Sequence, residues 1–190
     1  ELKRVLKHIA RRTAEACRAN RCTIFLLDDA GEYLQPVMSQ FADGHADLEQ
    51  WNAFKSATAD RVDAVPLFRD AILERRPARL DDAACTDLVP ARWTQPFGIQ
   101  KLLAVPLISR DRAIGLMALD HTEASLEFTT EQIDLALTIG GQVTSAIINA
   151  RLYAQAARRT DQLQALHAAG RALTSDLRLD VVMQTLAETA

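Results

Sequence analysis

Apolar residues recur at spacings of three and four from residue 2 to 19, where Leu2, Val5, Leu6, Ile9, Thr13 and Ala16 share one side and lysines and arginines the other. That spacing predicts an amphipathic helix. Cys22 to Leu27 is a short β-rich run, Asp28, Asp29, Ala30 and Gly31 supply turn chemistry, and Tyr33 to Met38 resumes an extended pattern, so a hairpin follows the helix. Leu48, Trp51, Phe54 and Ala57 return to helical spacing, and Pro66 to Arg75 forms a second short helical segment with proline at its start, where a missing amide is harmless. Pro77 to Leu80 reads as a strand and residues 81 to 100, with Pro90, Pro96 and Gly98, as a loop.

Two apolar runs, Lys101 to Ser109 and Arg112 to His121, flank the dipeptide Arg110 and Asp111 and predict a central hairpin, its second strand interrupted by Gly115. From Thr129 the period becomes helical again, with Thr129 or Thr130 as N-cap and Ile133, Leu137, Val143, Ile147 and Leu152 along one side. Farther on, Leu152, Ala156, Arg159, Leu163, Leu166, Gly170 and Leu173 alternate four and three. This is a heptad seam with one charged position, and such a seam needs a second helix to cover it. A second copy of the chain is the preferred partner, folding back onto the domain the alternative. Shifting the sequence by 177 residues lays Leu2, Val5, Leu6, Ile9 and Ala10 on Leu179, Val182, Met183, Leu186 and Ala187. This match suggests an excised piece holding one module (1–157), a connecting helix (158–178) and the truncated start of another module (179–190).

Composition narrows the class. In 190 residues, 48% are hydrophobic and 25% charged, which suits a globular domain and excludes disordered and collagen-like chains. The longest stretch free of polar side chains is about seven residues, Leu102 to Ile108, and contains Pro106, far short of the ~20 apolar residues of a membrane helix. The net charge is −3, yet residues 1–21 hold seven Lys or Arg against two Glu, a local excess of about +5. A basic helix face accounts for this better than nucleic-acid binding, which calls for a basic domain with aromatic platforms. Cys17, Cys22 and Cys85 make an odd count without a C-x-x-C pair, pointing to a reducing, cytoplasmic setting.

The segments RCTIFLLDDAGEYL, LLAVPLISRDRAIGLMALDH and FTTEQIDLALTIGGQVTSAIINARLYAQ resemble those of a GAF domain, over roughly residues 2–157. LHAAGRALTSDLRLDVVMQTLAETA, residues 166–190, resembles the first helix of another. The resemblance implies an α+β fold: a six-stranded antiparallel sheet, the first and last helices on one face, and short helices and a loop over a pocket on the other. It also implies a regulatory, non-catalytic module of a multi-domain bacterial signalling protein, a homodimer through its terminal helices. A small molecule in the pocket would change helix angle or register. The alternative is a ligand-free dimerisation scaffold that positions an output domain.

The expected pocket wall holds Trp51, Phe54, Phe68, Trp93 and Phe97, half of the ten aromatics in the chain. They offer flat contacts to a planar ligand, or else fill the space themselves. Cyclic-nucleotide-binding relatives carry an Asn-Lys-Phe-Asp-Glu signature, of which DHTEASLEFTTEQ (residues 120–132) keeps only Phe128. Haem-binding relatives place an axial His where residues 85–100 contain none, and bilin-binding relatives a Cys followed by His or Phe, where Cys85 precedes Thr86. Haem, bilin and cyclic nucleotide are therefore disfavoured, and the ligand is unassigned. Cys85 keeps a minor thiol role in the pocket loop, although one cysteine cannot both attack and resolve as methionine-sulfoxide-reducing relatives require. His8, His45, His121 and His167 lack metal-ligand spacing, so no metal site is expected. His167 lacks the acidic and proline neighbours of a phospho-acceptor. Adjacent carboxylates at Asp28 with Asp29 and Asp81 with Asp82 read as turn and cap residues. Gly140 and Gly141 each cost a helix about 1 kcal/mol, which suggests close packing against the first helix or a partner. Gly141, Ile148, Leu152, Leu163 and Leu166 are the expected dimer and transmission positions.

Overall fold

The computed structural model describes residues 2–45, 47–83 and 86–188, with side chains as far as His167. Its first helix, α1 (Leu2–Ala16), ends at the last residue of its apolar pattern, three residues short of the expected 19. Arg18 adopts a φ of 53°, and the amides of Arg18 and Ala19 return to the carbonyls of Glu15 and Ala14 at 3.1 and 2.9 Å. This left-handed closure satisfies the terminal carbonyls and stops the helix. The buried stripe is rotated from the expected one: Leu6, Ala10, Thr13 and Ala14 are buried, whereas Val5 and Ala16 are exposed. Small side chains at Ala10 and Ala14 permit a close approach to the sheet that a β-branched Val5 does not.

Strands β1 (Arg21–Leu27) and β2 (Tyr33–Phe41) form the expected hairpin. Its turn is held by the Asp28 carboxylate, which accepts the amides of Glu32 and Tyr33 at 2.8 and 3.1 Å, and by Gly31 at a φ of 78°. Helix α2 (Leu48–Thr58) follows, capped by Asp47, then the two-residue strand β3 (Asp60–Arg61), α3 (Pro66–Glu74) and β4 (Ala78–Leu80). The segment expected as loop contains a helical turn, α4 (Ala91–Thr94), and a 3-10 turn, Gln95–Phe97. Pro90 and Pro96 pre-set helical φ there, which the loop reading of two prolines missed.

Strands β5 (Lys101–Ser109) and β6 (Arg112–His121) turn at Arg110 and Asp111, both with positive φ, the two-residue turn whose twist suits a hairpin. The sheet runs β3-β2-β1-β6-β5-β4, and its neighbours pair antiparallel. It is covered on both faces, so the central strands read as continuous apolar runs. On one face Ile24, Leu103, Val105, Leu107, Met117 and Leu119 pack with α1 and with Ala136, Val143 and Ile147 of the last helix. On the other, Phe25, Leu102, Ala104, Leu116 and Ala118 pack with α2, α3 and α4. The two faces separate the terminal helices from the short ones.

The last helix, α5 (Thr130–Glu188), opens with a reciprocal cap. The Gln132 amide donates to Thr129 Oγ1 at 3.3 Å and the Thr129 amide to Gln132 Oε1 at 2.8 Å. Its buried stripe is Ala136, Gly140, Val143 and Ile147, while Leu137 is exposed. A Cβ on Gly140 would stand 3.3 Å from Val105 Cγ1, so the smallest residues face β5 and the larger leucine is turned away. The chain divides into two compact units, Glu1–Ile147 and Ile148–Ala190. By length and composition alone, Thr130–His167 is long and apolar enough to cross a membrane, contrary to the sequence expectation, because Thr, Gln, Ser and Asn residues lower its hydropathy only moderately. The residues of this stretch that lie in the first unit bury their apolar stripe on the sheet, as a core helix does.

Candidate functional site

The face opposite the terminal helices gathers the aromatic candidates around a residue the sequence reading did not select, Phe25 of β1. Phe25 stacks on Trp93 with centroids 5.8 Å apart and meets Phe68 edge-on at 5.5 Å. Phe68 in turn meets Trp93 at 5.5 Å, and Phe54 meets Phe97 at 4.9 Å. Trp51 stacks on Phe54 at 6.3 Å. These offset and edge-to-face arrangements are the favoured ones for aromatic pairs. The space left among Phe25, Phe54, Phe68 and Trp93 is about 10 Å³, no more than one water needs. Phe54, Phe68 and Trp93 are buried, Trp51 and Phe97 half-buried. Cys85 lies outside the described residues. Phe25 escaped notice because the run Cys22–Leu27 is apolar on both faces, so nothing in it distinguishes the side turned toward the rings.

Open volume lies on the far side of Phe54. A groove of about 330 Å³ runs between α2 and the second half of β2, with Trp51 and Phe54 on one wall, Val37 to Phe41 on the other, and Lys3, Arg21, His45 and Lys55 contributing cationic or titratable groups. Its volume sits at the low end of ligand pockets, about 300–1,000 Å³. Among the described residues the acidic side chain lining it is Asp47, and that carboxylate accepts the Gln50 amide at 2.8 Å as the cap of α2.

Arg21 stands at the floor of this groove and opens β1. Its register partner on β6 is Asp120, and Nε donates to Asp120 Oδ2 at 2.8 Å, both side chains being 3% exposed. The guanidinium lies 4.5 Å from the Phe54 centroid and 5.6 and 5.7 Å from those of Phe41 and Phe97, within cation–π range. Arg21 Nη2 and Asp120 Oδ1 are buried without a hydrogen-bond partner among the described residues. Burial pushes the Asp120 carboxyl up, and Arg21 opposes it. In the sequence Arg21 is one more cation after a basic helix, and only the register reveals its partner.

Next to this pair, the buried His121 ring stacks on Phe128 at 4.4 Å and neither of its nitrogens has a hydrogen-bond partner among the described residues. Burial and the nearby Lys101 hold its imidazole below the ordinary range, with Glu123 opposing. Phe128 is thus a lid on His121. Burial also raises the thiols, Cys17 to about 11 and Cys22 well upward, so neither carries the thiolate a nucleophile needs. Cys17 Sγ reaches the Gln132 carbonyl at 3.7 Å, which ties the end of α1 to the start of α5.

Of the transmission positions, Gly141 is exposed and a Cβ there would meet nothing within 4 Å, so packing against α1 does not explain it, whereas Gly140 is packed on β5. Ile148 is half-buried, and Leu152, Leu163 and Leu166 are exposed. The side chains of Gly170, Leu173 and the repeat from Leu179 to Ala187 lie outside the described residues.

A family model described as "GAF domain" matches residues 1–147. No curated protein sequence matches the chain. Among solved structures, the GAF domain/HD domain protein from Geobacter sulfurreducens superposes with a TM-score of 0.69 at 16% identity, covering 80% of this chain and 95% of that one. The GAF domain of a phosphoenolpyruvate-protein phosphotransferase from Coxiella burnetii gives 0.66 at 20% identity, covering 82% and 87%. A domain of a two-component sensor histidine kinase protein from Sinorhizobium meliloti 1021 gives 0.60 at 21%, covering 84% and 97%. At these identities the likeness speaks for the fold.

Proposed function

This chain belongs to the GAF domain family, and on that footing we propose that it is a non-catalytic regulatory module of a cytoplasmic, multi-domain signal-transduction protein. It binds a small molecule and relays occupancy through a homodimer of its terminal helices. The observation that carries this reading is the construction of the α1/α5 face. The two helices share one buried cluster over β1, β5 and β6, and α5 goes on as helix to Glu188 with Leu152, Leu163 and Leu166 uncovered. Exposed leucines at heptad spacing are stabilised by a second helix of the same kind. A shift of the sheet beneath α1 and α5 is felt by both, and a packed interface converts it into one of a few discrete arrangements. The segment from 179 is read as the start of a second module, with 158–178 as the connecting helix.

Sedimentation velocity of residues 1–190 tests the relay: a dimer is expected, and Leu163→Glu with Leu166→Glu should give a monomer with an unchanged near-ultraviolet spectrum. A wild-type chain that stays monomeric at high micromolar concentration would overturn it. A second reading, a ligand-free dimerisation scaffold, is favoured by the filled space among Phe25, Phe54, Phe68 and Trp93. Native mass spectrometry of the purified chain, with its visible spectrum, separates the two.

A further inference from the structure

We propose that the groove between α2 and β2 binds a small, flat aromatic carboxylate, with Arg21 as the recognition group at its floor. The inference rests on the ligand-binding reading above and gives that ligand a class and a place. Three independent features converge. First, Arg21 is almost wholly buried, yet its Nη2 has no partner among the described residues. A buried charged donor left unfilled is costly, and because Arg21 also lines the groove, an acid group entering there would pair with the guanidinium once it turns outward. A guanidinium presents a planar fork suited to a carboxylate. Second, the remaining charge around the opening favours an anion: Lys3 and Lys55 line it, and the first turn of the eleven-residue α2 faces it through Asp47, Leu48 and Gln50, while Asp47, the carboxylate among its described lining residues, is committed to the helix cap. Helix N-termini favour negative charge. Third, Trp51 and Phe54 supply a stacked apolar wall, which a flat ring can cover and inorganic anions cannot.

The groove is distinct from the filled space under Trp93, which among the described residues shares only Phe54 with it. Arg21 and Asp120 connect the two, since Asp120 lines the inner space. An acid group on Arg21 competes with Asp120 for the guanidinium, so occupancy would loosen the β1–β6 pair on the sheet that carries α1 and α5.

The test titrates 1-naphthoate, its neutral counterpart 1-naphthamide and inorganic phosphate into the ¹⁵N-labelled full chain, following the Ser39 and Gln40 amides and the Trp51 indole. The expected result is saturable shifts at those positions with naphthoate, and roughly tenfold or weaker affinity for naphthamide, as the loss of one charge-assisted contact implies. Arg21→Lys, which keeps the charge and removes the fork, should weaken naphthoate by about the same factor. If that variant fails to fold, Lys55→Glu on the exposed wall takes its place and should weaken naphthoate severalfold. Equal binding of naphthoate and naphthamide, binding of phosphate alone, or no shift at the groove with any probe would overturn the proposal. A dimer without naphthoate binding sinks only this inference, whereas binding by a monomeric chain sinks only the relay.

Discussion

Breaking the Arg21–Asp120 pair should cost far more than removing it. Both side chains are 3% exposed and joined by one 2.8 Å hydrogen bond, while one guanidinium nitrogen and one carboxylate oxygen have no partner among the described residues. Asp120→Leu strands a guanidinium that cannot discharge, and removing one member of a buried pair typically costs about 3–5 kcal/mol. Arg21→Met strands a carboxyl that can take up a proton. With Arg21 gone, the burial that already pushes Asp120 up acts unopposed, so the folded state binds that proton more tightly than the unfolded chain does. The stability of Arg21→Met therefore falls as pH rises through the folded value, whereas Asp120→Leu has no group at this site to titrate and the site adds no pH dependence of its own there. The double variant, Arg21→Met with Asp120→Leu, places methylene groups among Phe41, Phe54 and Phe97. It should come within about 1–2 kcal/mol of the wild type, since apolar replacement of a buried pair is often neutral or better. The coupling is then at least about 2 kcal/mol. Urea unfolding followed by tryptophan fluorescence measures it, because Trp93 is buried in the same half of the domain. Single costs that add to the double within ~0.5 kcal/mol would refute the reasoning, by showing that the pair is not energetically desolvated.

Other outcomes follow from neighbouring features. Gly141→Leu should leave the fold intact, because a Cβ there meets nothing, and should shift sedimentation toward monomer; an unchanged profile counts against Gly141 in the interface. Gly115→Ala should unfold the domain or cost several kcal/mol, since its Cβ would lie 2.2 Å from the Phe25 carbonyl oxygen, and a near-normal melting curve would be the contrary result. Phe68→Ala should cost about 3–5 kcal/mol and leave a dry cavity beside Phe25 and Trp93, so that benzene raises its melting temperature but not that of the wild type. His121, held low by burial, binds its proton less readily folded than unfolded. Its contribution is present above the ordinary histidine value and is lost as pH falls through the folded one, so His121→Phe should flatten the decline in melting temperature on the acid side.

Local pattern settled much of the architecture. The apolar runs Lys101–Ser109 and Arg112–His121 around a two-residue turn, the Thr129 cap and the Asp28 turn depend on neighbours within a few residues, and those interactions form wherever the segment goes. The resemblance drawn from those segments carried the family and the count of six strands, whereas the residues themselves marked five, because β3, Asp60 and Arg61, is too short for any period to register. Tertiary contact decided the rest. Which residues of α1 and α5 face inward depended on how closely small side chains let each helix approach the sheet, so Val5, Ala16 and Leu137 fell outside the stripe their spacing placed them in. The aromatic residues were visible as a set, but their centre, Phe25, was not, because a strand buried on both faces shows no preferred side. Arg21 and Asp120, 99 residues apart, acquire meaning only when β1 and β6 pair in register. Charge and ring types are written in the chain, and what they meet is fixed by packing.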